Sequence, residues 1–144
     1  MSEAPQTGRP EKYTVDYFQH DCIPKGTIKA LEDKWKNNGY AFWYKLLETL
    51  GSSENHILNL NEKGKLLLLS LKTFMTNDQC FEILNLLSEL EAIDPELWEN
   101  KIVWCPNFVK RVTHLYTKRK NGIPSHPDEK IIQKLVKNGQ KGKK

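Results

Sequence analysis

A chain of 144 residues with 38% hydrophobic content builds one core, with room left for a tail. Its longest apolar run, Leu66 to Leu69 extended through Ser70 to Leu71, is far short of the roughly 20 residues a membrane span needs. The net charge of +4 is uneven: residues 1–109 hold 11 Lys+Arg against 16 Asp+Glu, and residues 110–144 hold 11 against 2. Positive charge gathered in the last quarter suits an acidic partner, nucleic acid first, and such binding weakens with salt. A solubilising tail is the plainer reading of the same charge.

The start, "MSEAPQTGRPEKY", lacks the apolar segment of a secretory signal, and residues 1–12 read as a flexible lead-in. Cys22, Cys80 and Cys105 are odd in number and widely spaced, as expected of a reduced, cytoplasmic protein. Neither Cys80 nor Cys105 has a second ligand at short spacing, and His20 with Cys22 is too little for a site, so no metal or cofactor is expected.

"YTVDYF" is short and partly alternating, and "HDCIPKG" breaks it. Thr27 can cap a helix from Ile28 to about Lys36, with Ile28, Leu31 and Trp35 at helical spacing, and Asn37-Asn38-Gly39 is expected to end it. A second helix is predicted over Tyr40 to Leu50. Phe42, Trp43, Leu46, Leu47 and Leu50 share its apolar face and read as core, so Trp43→Ala is expected to cost about 3–5 kcal/mol.

"HILNL", His56 to Leu60, suits a strand, and Asn61 can cap a helix over Glu62 to Phe74 that carries the leucine run. Thr76 with Gln79 matches a capping box, opening a helix over Asn77 to Glu91. Two helices about a three-residue break have the layout of a helix-turn-helix. "ELW" and "KIVW", joined at Glu99-Asn100, are expected to form a hairpin, the wing. Pro106 suits the first turn of a helix reaching about Lys120. At about 100° per residue it separates a face of Lys110, Arg111, His114, Thr117 and Lys118 from one of Phe108, Val109, Val112, Leu115 and Tyr116. "NGIPSHP" is a linker. "DEKIIQKLVK" is a short helix that either docks on the domain through Ile131, Ile132, Leu135 and Val136 or waits for a partner, and "NGQKGKK" is expected to be disordered.

The fold class expected is therefore mainly α with a small β-hairpin, a winged helix-turn-helix over residues 13–120, followed by a linker, helix and basic tail over 121–144. No phosphate loop, GxSxG or HExxH occurs, and the carboxylates sit at helix ends and turns, so no enzyme is expected.

The stretch "YFQHDCIPKGTIKALEDKWKNNGYAFWYKLLETL" resembles a phage and prophage family of replisome-organiser-like proteins with a DnaD-like N-terminal winged-helix domain. The likeness rests on Tyr17, Phe18, His20 and Asp21, then Ile28, Lys29, Leu31 and Trp35, then Gly39, Tyr40, Phe42, Trp43, Leu46, Leu47, Glu48 and Leu50. Phe108, Val109 and Arg111 continue it at the last helix. It implies a phage or prophage gene product acting on DNA in replication initiation inside a bacterial cell. It also suggests a replication protein, such as a helicase or its loader, or a second copy of itself as partner.

One departure is visible. The helix in the recognition position has no Lys or Arg and carries Asp78, Glu82, Glu89 and Glu91. Asn77, Gln79 and Asn85 are its candidate base contacts. The main DNA contacts are therefore expected at Lys101, Lys110, Arg111, His114, Lys118, Arg119 and Lys120, as phosphate contacts that position the protein without reading much sequence. The alternative is an interaction or oligomerisation adaptor that does not touch DNA.

Overall fold

A computed structural model describes residues 13–23, 26–119, 122 and 124–141. Seven α-helices and one short two-stranded antiparallel sheet make up the described chain, which is the mainly helical class with a small sheet.

Helix α1 (Gly26–Trp35) buries Ile28 and Leu31, and α2 (Asn37–Gly51) follows after a single residue. That residue, Lys36, takes the reversal at φ 56°, ψ −136°. The "NNG" triplet, expected to end α1, instead opens α2. Gly39 serves a packing need, because a Cβ there would lie 2.3 Å from the Leu31 carbonyl oxygen. Only a glycine lets α2 cross α1 this closely.

Helix α2 buries Phe42, Leu46, Leu47 and Leu50 as its periodicity requires. Trp43 packs against the core yet is only half-buried, on the wall of a cavity of ≈120 Å³. The full core-truncation cost expected for Trp43 therefore belongs to fully buried Phe42.

A 3₁₀ turn (Glu54–His56) leads to β1 (Leu58–Asn59). Helix α3 (Lys65–Thr73) starts three residues later than the sequence suggested. Asn61 does not cap it; its amide donates to Asn59 Oδ1 at 2.9 Å and to the Asn100 carbonyl at 2.7 Å. After a three-residue break, α4 (Asn77–Glu89) opens with the expected capping box. Thr76 Oγ1 accepts from the Gln79 amide at 3.1 Å, and Gln79 Oε1 accepts from the Thr76 amide at 2.9 Å.

The wing is where sequence and structure part. "ELW" is not a strand but lies in α5 (Pro95–Glu99). Asp94 caps this turn, accepting from the Leu97 amide at 3.0 Å, with Pro95 at the first helical position. An Asp-Pro pair satisfies a helix start on both counts, and that local preference wins. Lys101, at φ 60°, then reverses the chain into β2 (Ile102–Val103). With its expected partner helical, β2 pairs with β1, Leu58 opposite Val103 and Asn59 opposite Ile102.

Helix α6 (Pro106–Arg119) buries Phe108, Val109, Val112, Leu115 and Tyr116, as its angular pattern predicts. Helix α7 (Glu129–Lys141) docks on the domain. Ile132 is buried in a second core with Leu97, Ile102, Trp104 and Val109, and Leu135 and Val136 pack beside it. Asn59 Nδ2 donates to the Leu135 carbonyl at 2.8 Å, fixing α7 to β1. The larger core holds α1 to α4 and the inner face of α6. The expected flexible lead-in, Lys120 and the end of the tail lie outside the described residues.

Candidate nucleic-acid interface

Lys110, His114 and Lys118 lie exposed on the outer face of α6, one turn apart, together with Thr117. Their alignment follows from the inner face: once Phe108, Val112, Leu115 and Tyr116 are buried, positions 110, 114 and 118 must point outward. His114 Nδ1 lies 3.1 Å from the Arg111 carbonyl, within its own helix.

The two arginines of α6 have structural work. Arg111 Nη2 donates to Asp21 Oδ2 at 2.9 Å, and Nη1 lies 3.4 Å from the Gln19 carbonyl. It thereby ties the segment before α1 to α6. Arg119 Nη1 donates to the Thr14 carbonyl at 2.7 Å, with its guanidinium 5.4 Å from the Tyr116 ring centre. About 180° from Lys110 around the helix, Arg119 falls among the apolar positions, which points it at the N-terminal segment. Lys101 lays its ammonium 4.7 Å from the Trp98 ring and 5.4 Å from that of Phe81, exposed but held over aromatics.

The candidate base contacts of α4 fare differently from one another. Asn77 is exposed at the first position of the helix. Gln79 spends its amide oxygen in the capping box, and Asn85 Oδ1 accepts from the Trp98 indole N–H at 2.7 Å. Glu82 pairs with Lys34 at 2.8 Å, while Asp78 and Glu89 are exposed. The outward face of α4 is acidic, and two of its three amides are engaged within the fold.

Three arrangements escaped sequence reasoning. Burying Ile132 puts Lys130, Lys134 and Lys137 on the solvent side of α7, a second basic stripe. Their spacing was legible, but only docking fixes which way they face. His20 stacks on Tyr44 at 3.9 Å between ring centres and its Nε2 is 3.0 Å from the Tyr40 hydroxyl, so "HD" anchors the N-terminal segment on α2 and α6.

The third is His56, which is fully buried. Its Nδ1–H donates to the Leu50 carbonyl at 2.9 Å, and its Nε2 accepts from the Tyr116 hydroxyl at 2.6 Å. Burial holds its pKa below the usual histidine value. No local spacing could have found a pair 60 residues apart.

Nothing among the described residues gathers three metal-binding side chains, and no described helix is long and apolar enough to cross a membrane. Cys80 and Cys105 are buried, and burial pushes the Cys105 thiol up to about 11. Cys22 is exposed.

Comparison with curated proteins and with solved structures gives no match. A family model does match, over residues 17–108. It begins at Tyr17, where the N-terminal segment starts its run to the Asp21–Arg111 pair, and ends at Phe108, the first buried residue of α6. It spans both helices of the helix-turn-helix and both strands, more than half of the chain, so the protein belongs to the Lin1244/Lin1753-like, N-terminal family.

Proposed function

We propose that this is a non-enzymatic DNA-binding protein that grips phosphates through α6 and α7 and does not insert α4 into a groove. The observation that carries the reading is the contrast of outward faces. Helix α6 presents Lys110, His114 and Lys118, and α7 presents Lys130, Lys134 and Lys137, whereas α4 presents Asp78, Glu82 and Glu89. A helix that reads bases needs cations or uncommitted amides at the groove. Helices α6 and α7 share the second core through Val109 and Ile132, which holds both basic faces on one rigid support. Contacts of this kind position a protein on DNA and carry little sequence information. The likeness to replisome-organiser proteins supports a role in phage or prophage replication, with a helicase or its loader as a fitting protein partner.

The test is fluorescence anisotropy of a labelled duplex and a labelled single strand at several salt concentrations. Wild-type affinity is expected to fall steeply with salt, and Lys110→Ala/Lys118→Ala/Lys134→Ala to flatten the slope by about 2–3, near 0.9 per lost phosphate contact on duplex. Arg111 and Arg119 are left intact because their loss would disturb the fold. Absence of binding at low salt to either strand form would sink the reading.

A further inference from the structure

Helix α3 places most of its leucines in solvent. Leu69 is its one buried leucine, while Leu67 is 54% exposed, Leu68 62% and Leu71 62%. Phe74, at the end of the same helix, is 87% exposed. Leu67 and Leu71 lie one turn apart with Leu68 beside them, and Phe74 follows at the C-cap, so the exposed side chains run along one helix and are not scattered singles. Phe74 also holds a left-handed backbone at φ 59°, a position where glycine is the usual residue. The Lys45 ammonium lies 4.6 Å from its ring centre, yet the side chain stays largely in solvent.

Among the described residues no segment covers this face. The apolar side of α7 packs on the second core through Ile132, Leu135 and Val136, leaving Ile131 at its edge exposed. Residues 1–12 contain no apolar run. The patch is apolar, so it does not suit phosphates either.

We infer that α3 is the contact between two copies of this chain, packed antiparallel about a two-fold axis. The face is self-complementary in that arrangement. A register that sets Leu67 of one copy against Leu71 of the other sets Phe74 over Gly64. Gly64 is the residue at the start of α3 above which a Cβ would meet nothing within 4 Å. The same register brings Glu62 within a turn of Lys72 of the other copy. Each now makes only an exposed pair within its own chain, Glu62 with Lys65 at 3.8 Å and Lys72 with Glu48 at 3.3 Å. Exposed pairs of this kind are worth little and exchange partners readily. Both ends of the helix therefore meet an opposite charge, as an isologous contact requires. The patch exposes a few hundred Å² per copy, and with its charged rim two copies bury on the order of 1,000 Å², enough for a weak, specific dimer.

The experiment is sedimentation equilibrium of the full chain across the micromolar range. A concentration-dependent dimer is expected. Leu71→Asp should weaken it at least ~10-fold while leaving the melting temperature in dilute solution unchanged, because the side chain is exposed. Glu62→Lys and Lys72→Glu should each weaken association, and the double variant should restore it. A chain that stays monomeric throughout, which would leave the face to a different protein, overturns the inference. So does a dimer indifferent to Leu71→Asp, or one that the charge-swapped double variant fails to restore.

Discussion

Helices α3 and α7 use their apolar residues in opposite ways. The leucine run of α3 reads as interior, yet Leu67, Leu68 and Leu71 face solvent. The short apolar stripe of α7 leaves open whether it docks or waits for a partner, and it docks: Ile132 is buried and Asn59 holds the helix to β1. The difference lies in how wide the apolar arc is. In α7 the residues Ile131, Ile132, Leu135 and Val136 span a little over a third of the circumference, and one supporting surface covers that arc except at its Ile131 edge, which stays exposed. In α3 leucines surround the helix, and the fold touches it from one side only. A rich apolar composition says that a helix wants cover; a narrow arc says that one surface suffices.

The strongest way to break this comparison is to truncate the leucine of α3 that is fully buried. Leu69 is buried against the main core. Leu69→Ala is expected to cost about 2–5 kcal/mol in chemical denaturation, the range for deleting a buried leucine side chain. A cost below about 1 kcal/mol would mean that α3 is not anchored as described.

The next effects test the main core against the second. The second core is built of aliphatic side chains and Trp104, whereas the main core packs around His56 with its two hydrogen bonds. Tyr116→Phe removes the donor to His56 Nε2 and leaves a buried acceptor, which should cost about 1–3 kcal/mol at neutral pH. The pair also sets a pH dependence. Burial lowers the folded-state pKa of His56, so below about 6.5 the unfolded chain binds the proton first. Its contribution is fully present above that pH and is lost as pH falls from there toward the folded-state value. Urea melts between pH 8 and pH 5, about the range that brackets an unperturbed histidine, should show stability falling on the acid side. A His56→Gln variant should lose that dependence.

A smaller effect is expected where α7 meets the sheet. Asn59→Ala removes the bond to the Leu135 carbonyl, worth about 1 kcal/mol, together with the two bonds that its Oδ1 accepts from Asn61. Its signature should be local: faster amide exchange along α7, with α2 and α4 keeping their protection. Equal loosening in all three would show that the two cores melt as one.

How much of this was legible follows the range of the signal. Helix periodicity in α2, α4 and α6, the Thr76–Gln79 capping box and the outward Lys110, His114 and Lys118 are set by residues within a turn or two, and the chain itself displays them. The wing misleads because Trp98 alone in "ELW" favours a strand, while Glu96 and Leu97 favour a helix and Asp94-Pro95 in front of them fixes its start. The pairing of β1 with β2, the Arg111–Asp21 tie and the His56–Tyr116 bond join residues far apart in the chain, and no spacing rule reaches them. Asn85 illustrates the same limit within the candidate site. Its place on α4 was readable, but its bond to Trp98 was not.

The smallest expected effect is the most informative about α3. In dilute solution Leu71→Ala should change stability by no more than about 0.5 kcal/mol, since an exposed side chain loses little on truncation. If two copies meet on this face, wild-type stability must rise with protein concentration, because dimer formation draws on the folded state alone. Leu71→Ala should flatten that rise. The two melting curves would then coincide at low concentration and separate as it increases. A cost that is large and independent of concentration would place Leu71 in the interior after all, and α3 would return to the role its composition first suggested.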